Sequence, residues 1–415
     1  MTSRHIAPMM LVRMPKAWPP APEWMSFYKL IELEQCPRKF SLRSAAYPDI
    51  WSGRGYPTKT SAATLIGQIT HRALARLLSE LAGAGCQSTG DVTAIAVLRS
   101  LGGYSRLVEE SLQAVISGYE TNPRMAGRLR FIQLSLDSRT TQMREILQIL
   151  ARRIRVPDQA TKVASKSRSF VRRPLQDGSH AEIELRVAEL QWLGIADLVI
   201  KEQNDCEIVD FKTGKPAEEH KKQLKTYALL WARDSELNPD GLPPTKLTLV
   251  YETAQQSVEP PLRADLAEIE TDIRERSRIA KEDMRKMPPP TRPKAAICSF
   301  CEVKQLCGEY WTLAVQARLL QETGASIARS DLEVSVIDQV GPHTWNARVI
   351  CSSSFEAGTK LIIMSRQTQY EVLFSRGAVL RIVDASVDSS PEDGSGTVVN
   401  VTAATEIFLV PEHEG

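Results

Sequence analysis

Two charged residues end an apolar run near the middle of the chain. The segment EIVDFKTG at 207–214 places Asp210 and Lys212 two residues apart. Side chains alternate between the two faces of a strand, so both charges would share a face with Ile208. A partly buried carboxylate and ammonium need partners or a metal ion to offset their loss of hydration. The pattern therefore predicts either the end of a strand or a functional site.

A second carboxylate, Asp197, ends the segment GIAD in the preceding apolar run. Polar residues 201–205 separate the two runs, which predicts a hairpin that places Asp197 beside Asp210. Paired carboxylates suit Mg²⁺ or Mn²⁺, and such an ion binds a phosphate oxygen and lowers the pKa of bound water. A lysine beside it orients the nucleophile and offsets charge on phosphorus. Glu182 or Glu184 could supply a third carboxylate, and the sequence does not choose between them.

A helix predicted over residues 62–82 carries a candidate metal ligand. Its apolar residues recur at helical spacing, and Gly67 and His71 lie one turn apart on the same side. Imidazole is a common metal ligand in proteins. A single histidine on an amphipathic helix is, however, more often a packing or surface residue, so His71 alone predicts no site.

A second helix, predicted over residues 216–234, follows the EIVDFKTG strand. It begins with proline and acids, as helix N-termini prefer, and it places Gln223 and Tyr227 four residues apart on one face. These side chains would either form a plain polar face or reach the carboxylate site.

The order and spacing of these residues resemble the RecB-like branch of the PD-(D/E)XK nuclease superfamily. The matching motifs are Gly67-x3-His71, Gly194-x2-Asp197, Val209-Asp210-Phe211-Lys212-Thr213-Gly214 and Gln223-x3-Tyr227. The resemblance implies an α/β fold with a restriction-endonuclease-like core, a mixed sheet flanked by helices. It implies these metal ligands: His71, Asp197, Asp210 and the carbonyl of Phe211. It implies these catalytic residues: Asp197, Asp210, Lys212, Gln223 and Tyr227.

Four of the seven cysteines stand apart by their spacing. Cys36 lies near the start of the matching region, and Cys298-x2-Cys301-x5-Cys307 lies at its end. This layout is similar to that of AddB-type helicase-nuclease subunits and CRISPR-associated exonucleases, which implies that four thiolates hold a [4Fe-4S] cluster. A structural Zn²⁺ is the alternative, because thiolates at short spacing also suit zinc.

Basic residues are concentrated before the strands. Between residues 121 and 173 there are 13 Lys or Arg against 3 Asp or Glu. The surrounding region, about 90–160, is predicted to form several helices inserted into the nuclease core. Arg152, Arg153 and Arg155 are candidate nucleic-acid contacts. The alternative is a solvated helical face with a basic loop.

The residues from about 328 to 415 form short β-type runs. Five or six strands in so short a segment predict a small all-β, OB-like barrel, a fold that often binds single strands through aromatic side chains and a basic groove. The candidate stacking residues are Trp345, Tyr370 and Phe374. The candidate phosphate contacts are Arg348, Lys360, Arg376 and Arg381. The alternatives are that the aromatic residues form the barrel core, or that the barrel is a docking module.

The predicted domain organisation has three parts. They are an N-terminal arm at 1–25, a nuclease domain with its cluster at 26–312, and the barrel at 328–415. The arm lacks the hydrophobic region of a secretory signal, and no run approaches 18 apolar residues, so no membrane partner and a cytoplasmic location are expected.

These features together predict a metal-dependent DNA nuclease. An exonuclease acting on single-stranded or end-bearing DNA, in DNA repair, recombination or phage defence, is the leading hypothesis. The chain has no GxxxxGK[ST] phosphate loop, so any coupling to ATP needs a helicase or other protein partner. The alternatives are a non-catalytic DNA-binding scaffold that keeps the fold, and an endonuclease acting on RNA or structured DNA.

Overall fold

The computed structural model describes residues 7–51, 55–84, 86, 90–125, 128–152, 172–212, 214–251, 254–323, 329–388 and 397–411. Its helices are α1 (Phe27–Gln35), α2 (Pro37–Ser44), α3 (Ala62–Gly83), α4 (Val92–Ser100), α5 (Gly103–Ser117), α6 (Leu129–Asp137), α7 (Thr140–Ala151), α8 (Glu218–Arg233), α9 (Arg263–Arg285), α10 (Ala295–Cys298) and α11 (Leu313–Thr323). Its strands are β1 (Gly178–Val187), β2 (Trp192–Glu202), β3 (Asp205–Lys212), β4 (Lys246–Tyr251), β5 (Gln255–Val258), β6 (Arg329–Gly341), β7 (Thr344–Ser352), β8 (Lys360–Ser365), β9 (Val379–Asp388), β10 (Val398–Val401) and β11 (Glu406–Val410).

The chain folds into two compact units. The first, called the sheet unit, comprises residues 22–31 and 59–281. The second, called the barrel unit, comprises the residues up to 21, residues 32–58 and those from 282 onward.

A mixed five-stranded sheet forms the centre of the sheet unit. Its strand order is β1-β2-β3-β4-β5, and every neighbouring pair is antiparallel except β3 and β4. The predicted hairpin is present, with Gln203 and Asn204 forming the turn between β2 and β3. The parallel pair follows because α8 connects β3 to β4.

Strand register aligns three carboxylates across this sheet. Leu198 pairs with Val209, so Asp197 and Asp210 occupy the next opposed positions of β2 and β3. On the other side, Ala181 pairs with Leu198, which places Glu182 opposite Asp197. Opposed residues of antiparallel strands lie side by side, so the hairpin register itself brings the acids together.

Helices α3 to α7 form a layer that packs on the sheet. Buried residues of these helices share one apolar core with Leu198, Val209, Phe211 and Val250 of the strands. Helices α4 to α7 occupy residues 92–151 of the region 90–160, where the sequence predicts a helical insertion. Residues 153–171 lie outside the described part of the chain.

Helix α8 also packs against the sheet, where it contacts β1 to β4. It begins at Glu218 with two acids in its first turn, and their negative charges stabilise the positive end of the helix dipole. Its buried residues include Gln223 and Tyr227, so the two polar side chains of the predicted motif face inward.

The barrel unit contains a closed ring of five strands. The order around the ring is β6-β7-β8-β10-β9, and β9 pairs back to β6. The β8–β10 pair is parallel and the other pairs of the ring are antiparallel, while β11 extends β9 outside the ring. The all-β tail is thus barrel-like, as predicted.

Segments outside the predicted tail pack with this barrel. Leu11 pairs with Leu409 of β11, and Tyr310 shares an apolar cluster with Phe408. The buried Lys304 ammonium lies 2.6 Å from a carboxylate oxygen of Asp331 on β6. The arm from residue 7 to 21 and the region after residue 282 therefore belong to the same compact unit as the barrel, whereas the sequence boundaries separate them.

No helix in the described ranges combines the length and apolar character needed to cross a lipid bilayer.

Candidate metal centre and cysteine site

Three acidic side chains and a histidine meet where β1, β2 and β3 lie side by side. His71 Nδ1, on α3, is 3.3 Å from a carboxylate oxygen of Glu182 and 3.3 Å from one of Asp197. The histidine ring also makes an edge-to-face contact with Phe211, with ring centroids 5.9 Å apart. The helix and the sheet thus each contribute ligands to one point.

Glu182 adopts a left-handed backbone in the middle of a strand, with φ of 54°. A non-glycine residue in this region costs on the order of 1–3 kcal/mol, and such strain is typical of functional sites. Glu184, the other candidate, instead pairs with Arg186 at 2.8 Å. The structure therefore selects Glu182 as the third carboxylate.

Asp197 is buried and held firmly by the neighbouring strand. Its Oδ2 atom accepts a hydrogen bond of 2.6 Å from the backbone amide of Phe211, while Oδ1 faces His71. The Phe211 contact with this carboxylate is thus made by its amide, and the predicted role of its carbonyl as a metal ligand stays a prediction.

Crowding of charges shifts the pKa values at this point. Burial raises the pKa of Asp197 to about 7, with Asp210 adding to the effect. Burial also raises the pKa of Asp210, although Lys212 opposes it. Burial lowers the pKa of His71, but Asp197 and Glu182 outweigh this and raise it to about 9. Burial and mutual repulsion destabilise the charged forms of these acids, and a bound cation would stabilise them.

Lys212 lies at the end of β3, where three polar side chains surround its ammonium. Its Nζ atom is 2.8 Å from Asp210 Oδ2, 2.7 Å from Gln223 Oε1 and 3.3 Å from the hydroxyl of Tyr28. Gln223 in turn donates to the hydroxyl of Tyr227 at 2.6 Å. Burial lowers the pKa of Lys212, but Asp210 and Tyr28 act in the opposite direction and the net pKa is raised. The ammonium is therefore fixed in place and charged.

The ligand atoms of His71, Glu182 and Asp197 all lie within 4.8 Å of one another. Among the residues that the structure describes, no other group of three such side chains is this compact. Two carboxylates and one imidazole fit a divalent ion such as Mn²⁺ or Mg²⁺. Asp210 lies outside this trio but beside it, next to the lysine.

The family model for the PD-(D/E)XK nuclease superfamily matches residues 25–308, well over half of the 415 residues. The chain belongs to this superfamily. It is therefore a metal-dependent nuclease by family, and the matched region contains the carboxylates, the lysine and the histidine described above.

Solved structures give more distant matches. "Crystal structure of SSO0001" is 22% identical, with a TM-score of 0.20, over 32% of the nuclease and 62% of that chain. "Crystal structure of p204 HINb domain" is 9% identical, with a TM-score of 0.17, over 58% of the nuclease and 100% of that chain. No curated protein matches the nuclease sequence.

The four predicted cluster cysteines line a single cavity in the barrel unit. Cys36 caps α2, where its sulfur accepts a hydrogen bond from the Lys39 amide at 3.4 Å, and Cys298 ends α10. Burial raises the pKa of Cys301 to about 12 and that of Cys307 to about 11. Arg38, Lys39 and Lys304 also line this cavity. Their positive charges would offset the charge of bound thiolates.

The candidate nucleic-acid contacts on the barrel differ in their exposure to solvent. Trp345 is buried in the barrel core and stacks on Phe374, with centroids 4.2 Å apart, so neither face of the indole is open to a base. Tyr370 is buried as well, and Arg381 is held by Glu333 at 2.7 Å. Arg348 is exposed on β7, opposite exposed Lys360 on β8.

Of the three predicted basic contacts before the strands, one lies in the described part of the chain. Arg152 is exposed at the end of α7. Arg153 and Arg155 lie outside the described residues.

One residue at the centre was not predicted from the sequence. Tyr28, in the first turn of α1, reaches Lys212 and also donates a hydrogen bond of 3.0 Å to Gln223. It is 184 residues from Lys212 in the chain, and its local sequence carries no signal of this contact. Glu182 was one of two candidates from the sequence, and the register of β1 against β2 places it opposite Asp197.

Gly194 sets the distance between β2 and α8. A Cβ atom at this position would lie 2.6 Å from Cε1 of Tyr227 and 3.1 Å from Leu230. We expect Gly194→Ala to displace Tyr227, to cost about 1–3 kcal/mol of stability, and to lower cleavage because Tyr227 anchors Gln223. Thermal unfolding and cleavage rates measure the two effects.

Gly83→Ala is the matched control, because a Cβ there has no neighbour within 4 Å and the residue ends α3. The control should be neutral or slightly stabilising. Equal behaviour of the two variants would contradict the spacing role of Gly194.

Proposed function

We propose that the protein is a DNA nuclease of the RecB-like branch that hydrolyses phosphodiester bonds with Mn²⁺ or Mg²⁺. The main support is that His71, Glu182 and Asp197 lie close together. The ion pair of Asp210 and Lys212 lies beside them. The strained backbone of Glu182 supports its role as a ligand, because such conformations cluster at functional sites.

Each residue of the site has a separate role in the proposed hydrolysis. His71, Glu182, Asp197 and Asp210 would hold the metal, which supplies Lewis acidity and a water of lowered pKa. Lys212 binds a nonbridging oxygen of the scissile phosphate and stabilises charge that develops there. Gln223 keeps the ammonium of Lys212 in place, and Tyr227 keeps Gln223 in place.

The cysteine site is proposed to bind a [4Fe-4S] cluster. A tetrahedral zinc site with Zn–S bonds of about 2.3 Å would bring all four sulfur atoms to about 3.8 Å of one another. No three of these four sulfurs form a group within 4.8 Å. A cluster places each thiolate on a different iron atom, and the four cysteines line one cavity.

The barrel is proposed to be OB-like. Five strands that close in the order β6-β7-β8-β10-β9, with a short 3₁₀ helix at Thr368–Leu373 between β8 and β9, support this assignment. Exposed Arg348 and Lys360 on neighbouring strands are the barrel residues best placed to contact phosphates.

Single-stranded or end-bearing DNA is the proposed substrate, and exonuclease action is proposed from the RecB-like resemblance. The proposed setting is the cytoplasm, in DNA repair, recombination or phage defence, with a helicase or another protein as partner.

The test is cleavage of end-labelled single-stranded and double-stranded DNA, and of a matched RNA strand, by protein purified without oxygen. We expect cleavage only with Mn²⁺ or Mg²⁺, and a product ladder that reveals polarity. Cleavage confined to RNA would favour the endonuclease hypothesis. DNA binding without cleavage under any metal would favour the scaffold.

A further inference from the structure

An exposed aromatic ring stands directly beside the catalytic lysine. Tyr28 lies on α1, and 54% of the residue is accessible to solvent. Its ring centroid is 5.6 Å from Lys212 Nζ. A half-exposed aromatic ring beside the lysine offers a flat surface on which a ligand ring can stack.

The ring is held rigidly although it is open. Its hydroxyl donates to Gln223 at 3.0 Å and accepts from Lys212 at 3.3 Å. It makes an edge-to-face contact with the buried ring of Phe27, with centroids 5.7 Å apart and planes at 80°. A ring that is already fixed loses little conformational entropy when a ligand binds.

The distances match a nucleotide strand that passes over Lys212. Successive nucleotides rise ~3.4 Å along one stacked strand, so a ring 5.6 Å from the ammonium lies within two nucleotides of a phosphate bound there. Every nucleobase has a π-face that stacks on an aromatic ring whatever its sequence. Lys212 donates to the Tyr28 hydroxyl at 3.3 Å, so a phosphate bound by Lys212 would lie near that hydroxyl.

We propose that Tyr28 forms a base-stacking subsite next to the scissile phosphate, in which the ring binds a nucleobase of a single strand and the hydroxyl orients Lys212. This inference rests on the proposed nuclease function. It adds a substrate contact from α1, outside the sheet and helices that carry the catalytic motifs.

Two substitutions separate the ring from the hydroxyl. Tyr28→Phe keeps the ring, so KM for single-stranded DNA should stay within about 2-fold while kcat falls about 2- to 5-fold through the lost hydrogen bonds. Tyr28→Ala removes the stacking surface as well, so KM should rise about 5- to 10-fold. A purely structural hydroxyl would make the two variants equal in KM.

A set of oligonucleotides with one abasic site moved along the strand provides the decisive readout. For the wild type, one position near the cut should raise KM by about the same 5- to 10-fold, because the base that stacks is missing there. Tyr28→Ala should be insensitive to that position. The wild-type series does not depend on how well any variant folds.

The outcomes test the stacking subsite separately from the proposed nuclease function. Cleavage by the wild type with no sensitive abasic position, or with equal sensitivity in Tyr28→Ala, overturns the subsite and leaves the nuclease intact. Absence of metal-dependent cleavage by the wild type overturns both.

Discussion

Replacing Asp210 with alanine should lower DNA cleavage by on the order of 10³-fold or more. The carboxylate is buried at the end of β3, beside the metal trio and 2.8 Å from Lys212 Nζ. Its removal takes away a proposed ligand oxygen and also frees the ammonium from the orientation that the proposed reaction needs. Rates under single-turnover conditions with Mn²⁺ measure the loss.

Asp205→Ala is the matched control for this substitution. Asp205 begins the same strand but is exposed and remote from the metal trio, so its variant should keep full activity. Asp210→Ala should still unfold cooperatively near the wild-type temperature. If it cleaved DNA at a rate near that of the wild type, Asp210 would have no catalytic role and the scaffold hypothesis would gain.

Lys212→Ala separates metal binding from transition-state stabilisation. The ammonium is not a metal ligand, so this variant should bind Mn²⁺ while cleavage falls by about 10²-fold or more. Loss of Mn²⁺ binding together with cleavage would instead indicate that the lysine acts by holding the acidic cluster together.

The central part of the site was predictable because it depends on short-range rules. Alternation along β3 places Asp210 and Lys212 on one face, and a hairpin with a short turn aligns Asp197 with Asp210. Helical spacing explains Gln223 and Tyr227. The choice of Glu182 needs register across a second hairpin and a left-handed backbone, and strand periodicity does not predict the latter.

Strand alternation also explains why Trp345, a candidate stacking residue, is buried in the barrel core. Along β7 the buried residues are Trp345, Ala347, Val349 and Cys351, which share one face, whereas Arg348 points outward between them. The tryptophan therefore belongs to the apolar face and packs on Phe374. The same alternation supports Arg348 as a surface residue.

Contacts between distant segments were not accessible to sequence reasoning. Arg381 on β9 donates to the carbonyl of Gln305 at 2.6 Å, and Asp331 on β6 pairs with Lys304. Both contacts fix the segment between Cys301 and Cys307, so the barrel and the cysteine site form one structure. Chain order places Cys36 near the start of the nuclease match and the other three cysteines at its end, but it does not show that their segment packs with β6 and β9.

If the cysteine site holds the proposed cluster, replacing Cys301 with serine should remove it and destabilise the protein. Cys301 packs against the apolar cluster that contains Leu42 and Val303, and burial holds its thiol neutral when no metal is bound. A serine hydroxyl is a poor iron ligand, and the cross-link between Cys36 and the segment 298–307 would be lost. Iron and sulfide content should fall to a small fraction of the wild-type value, with loss of brown colour.

The stability change follows from what the cluster would connect. Cys36 and Cys298 are far apart in the chain, and a link that closes so long a loop removes much of the conformational entropy of the unfolded state. We expect a loss of about 2–5 kcal/mol, similar to the removal of a native cross-link, and a melting temperature lower by ~5–15 °C. Calorimetry under anaerobic conditions measures it.

Cys351→Ser controls for the substitution itself. Cys351 is a buried single cysteine on β7 of the same unit, so its variant should lose some packing energy but keep its iron. Zinc in place of iron in the wild-type protein would favour the alternative metal. Unchanged iron content in Cys301→Ser would show that the cavity is not the cluster site, because a four-thiolate cluster cannot lose one ligand without consequence.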